Sequence, residues 1–140
     1  MRVSAFDPFK DVYGFVAGDD VMRFGAMMIG EVVDELGSAN DFIGHAGGDN
    51  FIVITTTENA PLIKKRVKER FAAEVLTHYN FIDRQQGFML APHPEGGADK
   101  VPFMTMSVGI VSPDQQSFAD IREITELASE ARRQDALAAA

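Results

Sequence analysis

A length of 140 residues is that of one domain able to bury a real core, and 46% hydrophobic with 24% charged residues are ordinary globular proportions. The formal net charge of −8 excludes general nucleic-acid binding, which needs clustered Lys and Arg, and makes any polyphosphate ligand dependent on a local cationic spot or a bridging metal. With no cysteine, no run near the roughly 18 apolar residues of a membrane span and no basic-then-apolar leader, the chain reads as a single cytoplasmic domain over residues 1–140, without disulfides, thiolate metal sites, nucleic acid or membrane as partners.

Residues 1–15 open with a short apolar run and then Phe6-Asp7-Pro8-Phe9-Lys10-Asp11-Val12-Tyr13-Gly14, whose Pro, Asp and Gly punctuation reads as a loop. From about 18 to 36, Val21, Gly25, Met28, Val32 and Leu36 recur at helical spacing, which predicts a helix ended by Gly37. Asp19 and Asp20 fall in its expected first turn, where they complement the helix dipole, and its methionines read as core filler. Residues 41–45 and 51–57 are rich in β-branched and aromatic side chains and flank Ala46-Gly47-Gly48-Asp49-Asn50, which predicts a hairpin with Gly47 and Gly48 at positive φ. Taken alone, such a tip is a turn with a solvated Asp49.

A second helix is expected over 61–79, capped by Asn59 or Ala60, with Ile63, Val67, Phe71 and Val75 along one face. Its basic side, Lys64, Lys65, Arg66, Lys68 and Arg70, reads as a solvated face. Residues 80–102 read as a loop or irregular hairpin turning at Pro94-Glu95-Gly96-Gly97, and 103–111 as a strand apolar enough to be central in a sheet. Ser117 is expected to cap a last helix that turns Phe118, Ile121, Ile124, Leu127, Ala128 and Ala131 inward before an alanine-rich tail. The order predicts an α+β sandwich, helices packed on a mainly antiparallel sheet. His45, His78 and His93 lack the spacing that would set metal ligands on one helical face.

Four blocks, in order along nearly the whole chain, resemble a known family: Asp11-Val12-Tyr13-Gly14 with Gly18-Asp19, Gly47-Gly48-Asp49-Asn50-Phe51, Asp83-Arg84-Gln85-Gln86-Gly87, and Met106-Ser107-Val108-Gly109-Ile110-Val111. They are similar to the N-D-x-Y-G-x-x-x-G-D, G-G-D/E-E-F, D-R-x-x-G and late S-I-G-I/V segments of the GGDEF domain, the diguanylate cyclase fold related to the nucleotidyl-cyclase palm. The resemblance implies a palm-like sandwich, and condensation of two GTP molecules into cyclic di-GMP across two facing domains. Two Mg²⁺ ions held by a strand carboxylate and the hairpin acids would neutralise the triphosphates.

The chain departs from that pattern at most of the positions that carry the chemistry. Counting back without a gap, Arg2 and Ser4 take the places of the strand carboxylates, Asp7 that of a phosphate lysine and Lys10 that of the guanine-reading asparagine. Reading Phe9-Lys10 as the motif's F-K instead puts Asp7 at the second carboxylate and Ala5 at the metal position. At the hairpin Asp49 keeps the first acidic place, and Asn50, a neutral donor unable to act as a base, takes the second. Ala136 and Ala140 replace the late lysine and arginine, with Arg132 and Arg133 nearby, and Ser38-Ala39-Asn40-Asp41 stands where the inhibitory R-x-x-D would be. Most of the family's first strand is missing, by truncation or because a partner chain supplies it.

The resemblance therefore implies a degenerate domain, a regulatory or dimerisation module with Asp19, Lys10, Gly47 and Gly48 as residual nucleotide contacts. Asp49 and Asn50 form the remains of the catalytic hairpin, and Asp49 is a vestigial metal ligand for any Mg²⁺ that accompanies GTP. Its partners would be a guanine nucleotide and another protein chain, including a second copy of itself. The alternatives are an active cyclase and an interaction module that binds no nucleotide.

Overall fold

The computed structural model describes residues 1–114 and 117–138 and has an α+β fold with small antiparallel ladders. A short strand, β1 (Arg2–Ser4), leads at once into a helix, α1 (Phe6–Tyr13), so the segment expected as a loop is helical. Pro8 sits in the first turn, where its missing N–H has no intrahelical partner to lose. Phe6 and Phe9 face inward, Phe9 stacks on Tyr13 with centroids 4.7 Å apart, and both rings meet Tyr79 edge-on. Gly14, at φ 94°, ends α1 and opens α2 (Phe15–Leu36). This helix begins before the expected start, so Asp19 and Asp20 lie in its second turn. Val21, Met28, Ile29 and Val32 are wholly buried, as their spacing predicts, and Gly37 ends the helix in an extended conformation.

The predicted hairpin is β2 (Phe42–His45) paired antiparallel with β3 (Phe51–Ile54), and Gly47 and Gly48 take φ values of 93° and 55° at its tip. Phe51 and Val53 point to the core, while Phe42, Ile52 and Ile54 form an exposed apolar face. Strand β1 lies along the start of β3: the Phe51 N–H donates to Met1 O at 2.8 Å and the Val3 N–H to Asp49 O at 3.2 Å.

Next comes α3 (Ala60–Glu74), closed by a 3₁₀ turn (Val75–His78), with Ile63, Val67, Phe71 and Val75 buried. Asn59 stands at its N-cap without a side-chain bond; instead its own N–H donates to Thr56 Oγ1 at 3.2 Å. The basic side is not simply solvated. Lys64 and Lys68 both reach Asp135, and Arg70 pairs with Glu31 at 2.9 Å and Glu74 at 2.7 Å.

Residues 80–102 contain a short helix, α4 (Phe81–Gln86), and an ordered hairpin of β4 (Met89–Pro92) with β5 (Ala98–Val101), turning over the predicted glycines. The expected long central strand is only β6 (Thr105–Ser107), paired with β1. Side chains take the amides beyond its pairing, since the Met104 N–H donates to the Tyr79 hydroxyl at 2.9 Å and the Val108 N–H to Asp135 Oδ2 at 2.8 Å. The last helix, α5 (Ile121–Ala138), starts after Asp120, whose Oδ1 accepts the Glu123 N–H at 3.0 Å, and not at Ser117. None of its described residues is fully buried, and Ile121 is 78% exposed, contrary to its expected inward role. Leu127, Ala128 and Ala131 are half-buried.

Candidate functional site

The alternation of a strand builds one wall of a cleft. Val3 enters the core, so Arg2 and Ser4 project from the other face of β1. Ala5, at φ 61° and ψ 25°, then reverses the chain into α1, a left-handed conformation that costs a non-glycine residue about 1 kcal/mol. The amides of Phe6 and Asp7, in the first helical turn, have no intrahelical acceptor. A left-handed residue followed by helical ones forms a nest of N–H groups, a concavity that suits anions.

The opposite wall comes from α5. Gly109 lets it approach β6, because a Cβ there would lie 2.3 Å from the Arg132 backbone nitrogen and 2.7 Å from Ala128 O. Asp135 fixes the approach by accepting from Lys64 at 2.9 Å, from Lys68 and from the Val108 N–H. Burial works against the Asp135 charge, but Lys68, the Val108 amide and Lys64 together outweigh it and bring its carboxyl from 3.8 down to about 2. Held this way, α5 delivers Arg132 to a cleft of about 280 Å³ that is also lined by Arg2, Ser4, Asp49 and residues Ala5 to Pro8.

Inside the cleft Arg2 Nε donates to Asp49 Oδ2 at 2.9 Å, and from beside it Asn50 Nδ2 donates to Asp49 Oδ1 at 3.3 Å. Both carboxylate oxygens are thus engaged by protein donors. Among the described residues Arg132 makes no hydrogen bond or ion pair. Burial, then the nearness of Arg2 and Arg133, pull its guanidinium below the ordinary value, with Asp49 opposing.

Of the residues that the resemblance singles out, the structure brings Asp49 to the cleft and leaves Asn50 beside it, bridged to Arg2 across the backbone. Gly47 and Gly48 are exposed at the hairpin tip, outside the cleft lining, and serve the turn. Asp19 is exposed on α2 and also lies off the cleft lining, without a hydrogen bond or ion pair among the described residues. Lys10 packs its stem against Gly18 and sets its ammonium 3.4 Å from Asp7 and over the Phe6 ring. Two other blocks do meet: the Tyr13 hydroxyl donates to buried Asp83, which also accepts from Gln86 Nε2 at 3.0 Å. That contact joins α1 to α4. Ala136 is half-buried on α5, and Ala140 lies outside the described residues.

The donor set does not fit the Mg²⁺ that the resemblance implies. Such an ion needs more than one carboxylate or a free one. Here the Arg2 guanidinium sits on Asp49, the Asn50 amide N–H donates a hydrogen bond to Asp49, and no group of three or more His, Asp or Glu among the described residues could hold a metal. Sequence reasoning placed Arg2 at a lost carboxylate and Arg132 only near the late basic positions; it did not see that the two share one cleft. The signal available was an arginine at position 2, where the resemblance calls for an acid.

No family profile matches the chain. A curated relative, "Signaling protein YkoW" of Bacillus subtilis (strain 168), is 25% identical over 109 residues, which is 74% of this chain and 13% of the relative. The chain thus spans about an eighth of that protein's length. No helix among the described residues is long and apolar enough to cross a membrane.

Proposed function

We propose that the chain is a catalytically degenerate GGDEF-type domain that serves as a regulatory or dimerisation module in cytoplasmic cyclic di-GMP signalling. One observation carries the loss of catalysis: the guanidinium of Arg2 lies 2.9 Å from Asp49, where the resemblance calls for a carboxylate that shares a metal. Asn50 cannot supply a base, and it spends its amide on Asp49. The signalling role is supported by the four motif blocks and by the printed name of the relative.

Weak guanine-nucleotide binding belongs to the same reading. Asp19 leaves its carboxylate open to a guanine edge, and Lys10, although drawn to Asp7, is on the neighbouring helix. Because the metal donors do not fit, such binding gains little from Mg²⁺. The exposed row of Phe42, Ile52 and Ile54 on the hairpin favours contact with another protein chain, the dimerisation side of the proposal.

The deciding measurement is incubation of the purified chain with GTP and Mg²⁺ or Mn²⁺, followed by chromatography for cyclic di-GMP, with thermal shift run in parallel. The expected result is no product. Robust turnover that disappears in Asp49→Ala would establish an active cyclase instead, and no thermal shift at millimolar GTP would favour a pure interaction module.

A further inference from the structure

The geometry points to a polyphosphate site that works without a divalent metal, with Arg2 and Arg132 supplying the positive charge that Mg²⁺ would otherwise bring. This deepens the reading above and rests on it only for the nucleotide's base; the phosphate part stands on the cleft itself.

Two guanidinium groups share the cleft lining with two acidic residues, Asp49 and Asp7, and Asp49 already holds Arg2 Nε. The Nη groups of Arg2 and the whole fork of Arg132 make no hydrogen bond among the described residues. Arg133, the next cation, is turned to Glu130 at 2.6 Å and does not compete. Asp7 has a 73% exposed side chain drawn to Lys10, which is outside the lining, and counted together this pair cancels. What remains is a surplus of one positive charge in a chain of net charge −8, with planar forks suited to bidentate contacts with phosphate oxygens. Phe6 and Asp7, whose amides have no intrahelical acceptor, belong to the same lining. Like charges brought together by folding oppose the docking of α5, and an anion between them removes that cost.

Size narrows the ligand. A cleft of about 280 Å³ is near the small end of ligand sites, at roughly 300 Å³, a size that suits a short run of phosphate groups. Arg2 and Arg132 come from opposite ends of the chain, on β1 and α5. A bound polyphosphate therefore ties α5 to the sheet, and occupancy is read out as tighter docking of that helix.

Calorimetric titration of the full chain with sodium tripolyphosphate in EDTA tests this. Saturable binding is expected, equal or weaker when Mg²⁺ is added, together with slower hydrogen exchange of α5 amides. Arg132→Gln should weaken it by about tenfold or more without lowering the Tm of the ligand-free protein, and Arg132→Lys should recover part of the loss. Arg2→Gln gives the same loss; if that variant does not fold, Arg132→Gln decides alone. Binding that appears only with Mg²⁺, or that is untouched in Arg132→Gln, overturns the inference, as does the absence of any binding. GTP and ATP arms separate the two readings. Equal binding of GTP, ATP and tripolyphosphate in EDTA keeps the metal-free site and overturns guanine recognition, whereas GTP bound in preference to ATP with no binding of tripolyphosphate does the reverse.

Discussion

The two halves of the molecule are held together by different physics. Around α2 and α3 the side chains of Val21, Met28, Ile29, Val32, Val67 and Phe71 have no accessible surface, and stability there comes from area removed from water and dense packing. Helix α5 has no fully buried residue among those described, and it rests on a carboxylate clamp at Asp135 and a close approach at Gly109. The candidate cleft lies on the seam, one arginine from each side. An element held by a few point contacts can release locally at a free energy well below global unfolding. A site that uses such an element gains a means of responding to its ligand.

The strongest break of the comparison is Phe71→Ala. Phe71 is fully buried and its ring lies 5.6 Å from that of Phe24, so its truncation should cost about 3 to 5 kcal/mol. Urea unfolding followed by circular dichroism should show a lower midpoint with an unchanged slope. A loss under about 1 kcal/mol would mean that this half is loosely packed and the contrast with α5 is false.

Asp135→Asn comes next, at about 2 kcal/mol, since it removes two charge-assisted bonds and keeps one acceptor for Val108. Its effect should be local. Native-state hydrogen exchange should speed up in α5 and stay unchanged in α2 and α3; equal acceleration everywhere would show one cooperative unit. The acid side follows from the depressed carboxyl. With a folded value of about 2 against an ordinary 3.8, the Asp135 contribution is complete above about pH 4 and is lost as pH falls through 2. The gap between wild type and variant should close over that interval.

How far the fold was legible follows the same division. Helices α2 and α3 and the Gly47-Gly48 hairpin declare themselves because apolar spacing and turn residues are local signals. Helix α1 was hidden behind Pro8 and Asp7, since what favours it is the packing of Phe9 and Tyr13 on Tyr79, distant in sequence. Strand β6 was overestimated because nothing near residue 108 reveals that Asp135 will take its amide. In the site, Asp49 was singled out by the resemblance, and it lines the cleft. The meeting of Arg2 with Arg132 was not, because it depends on where α5 docks.

Gly109→Ala sharpens the comparison most finely. The added methyl would lie 2.3 Å from the Arg132 nitrogen and 2.7 Å from the Ala128 oxygen, both backbone atoms, so one chain must move. Overpacking of this kind costs about 1 to 3 kcal/mol in a rigid core. Here the cost has a ceiling, because once strain exceeds the free energy of docking, α5 lifts away and the strain vanishes. A loss of about 1 to 2 kcal/mol is therefore expected, near the lower end of that range. In the Asp135→Asn background the same substitution should add less, since the helix, left with only the Val108 contact at that position, is already loosened. The check is a double-mutant cycle on α5 amide exchange. Strict additivity would place the grip of α5 in its half-buried Leu127, Ala128 and Ala131 contacts, and the helix would then belong with the core it borders.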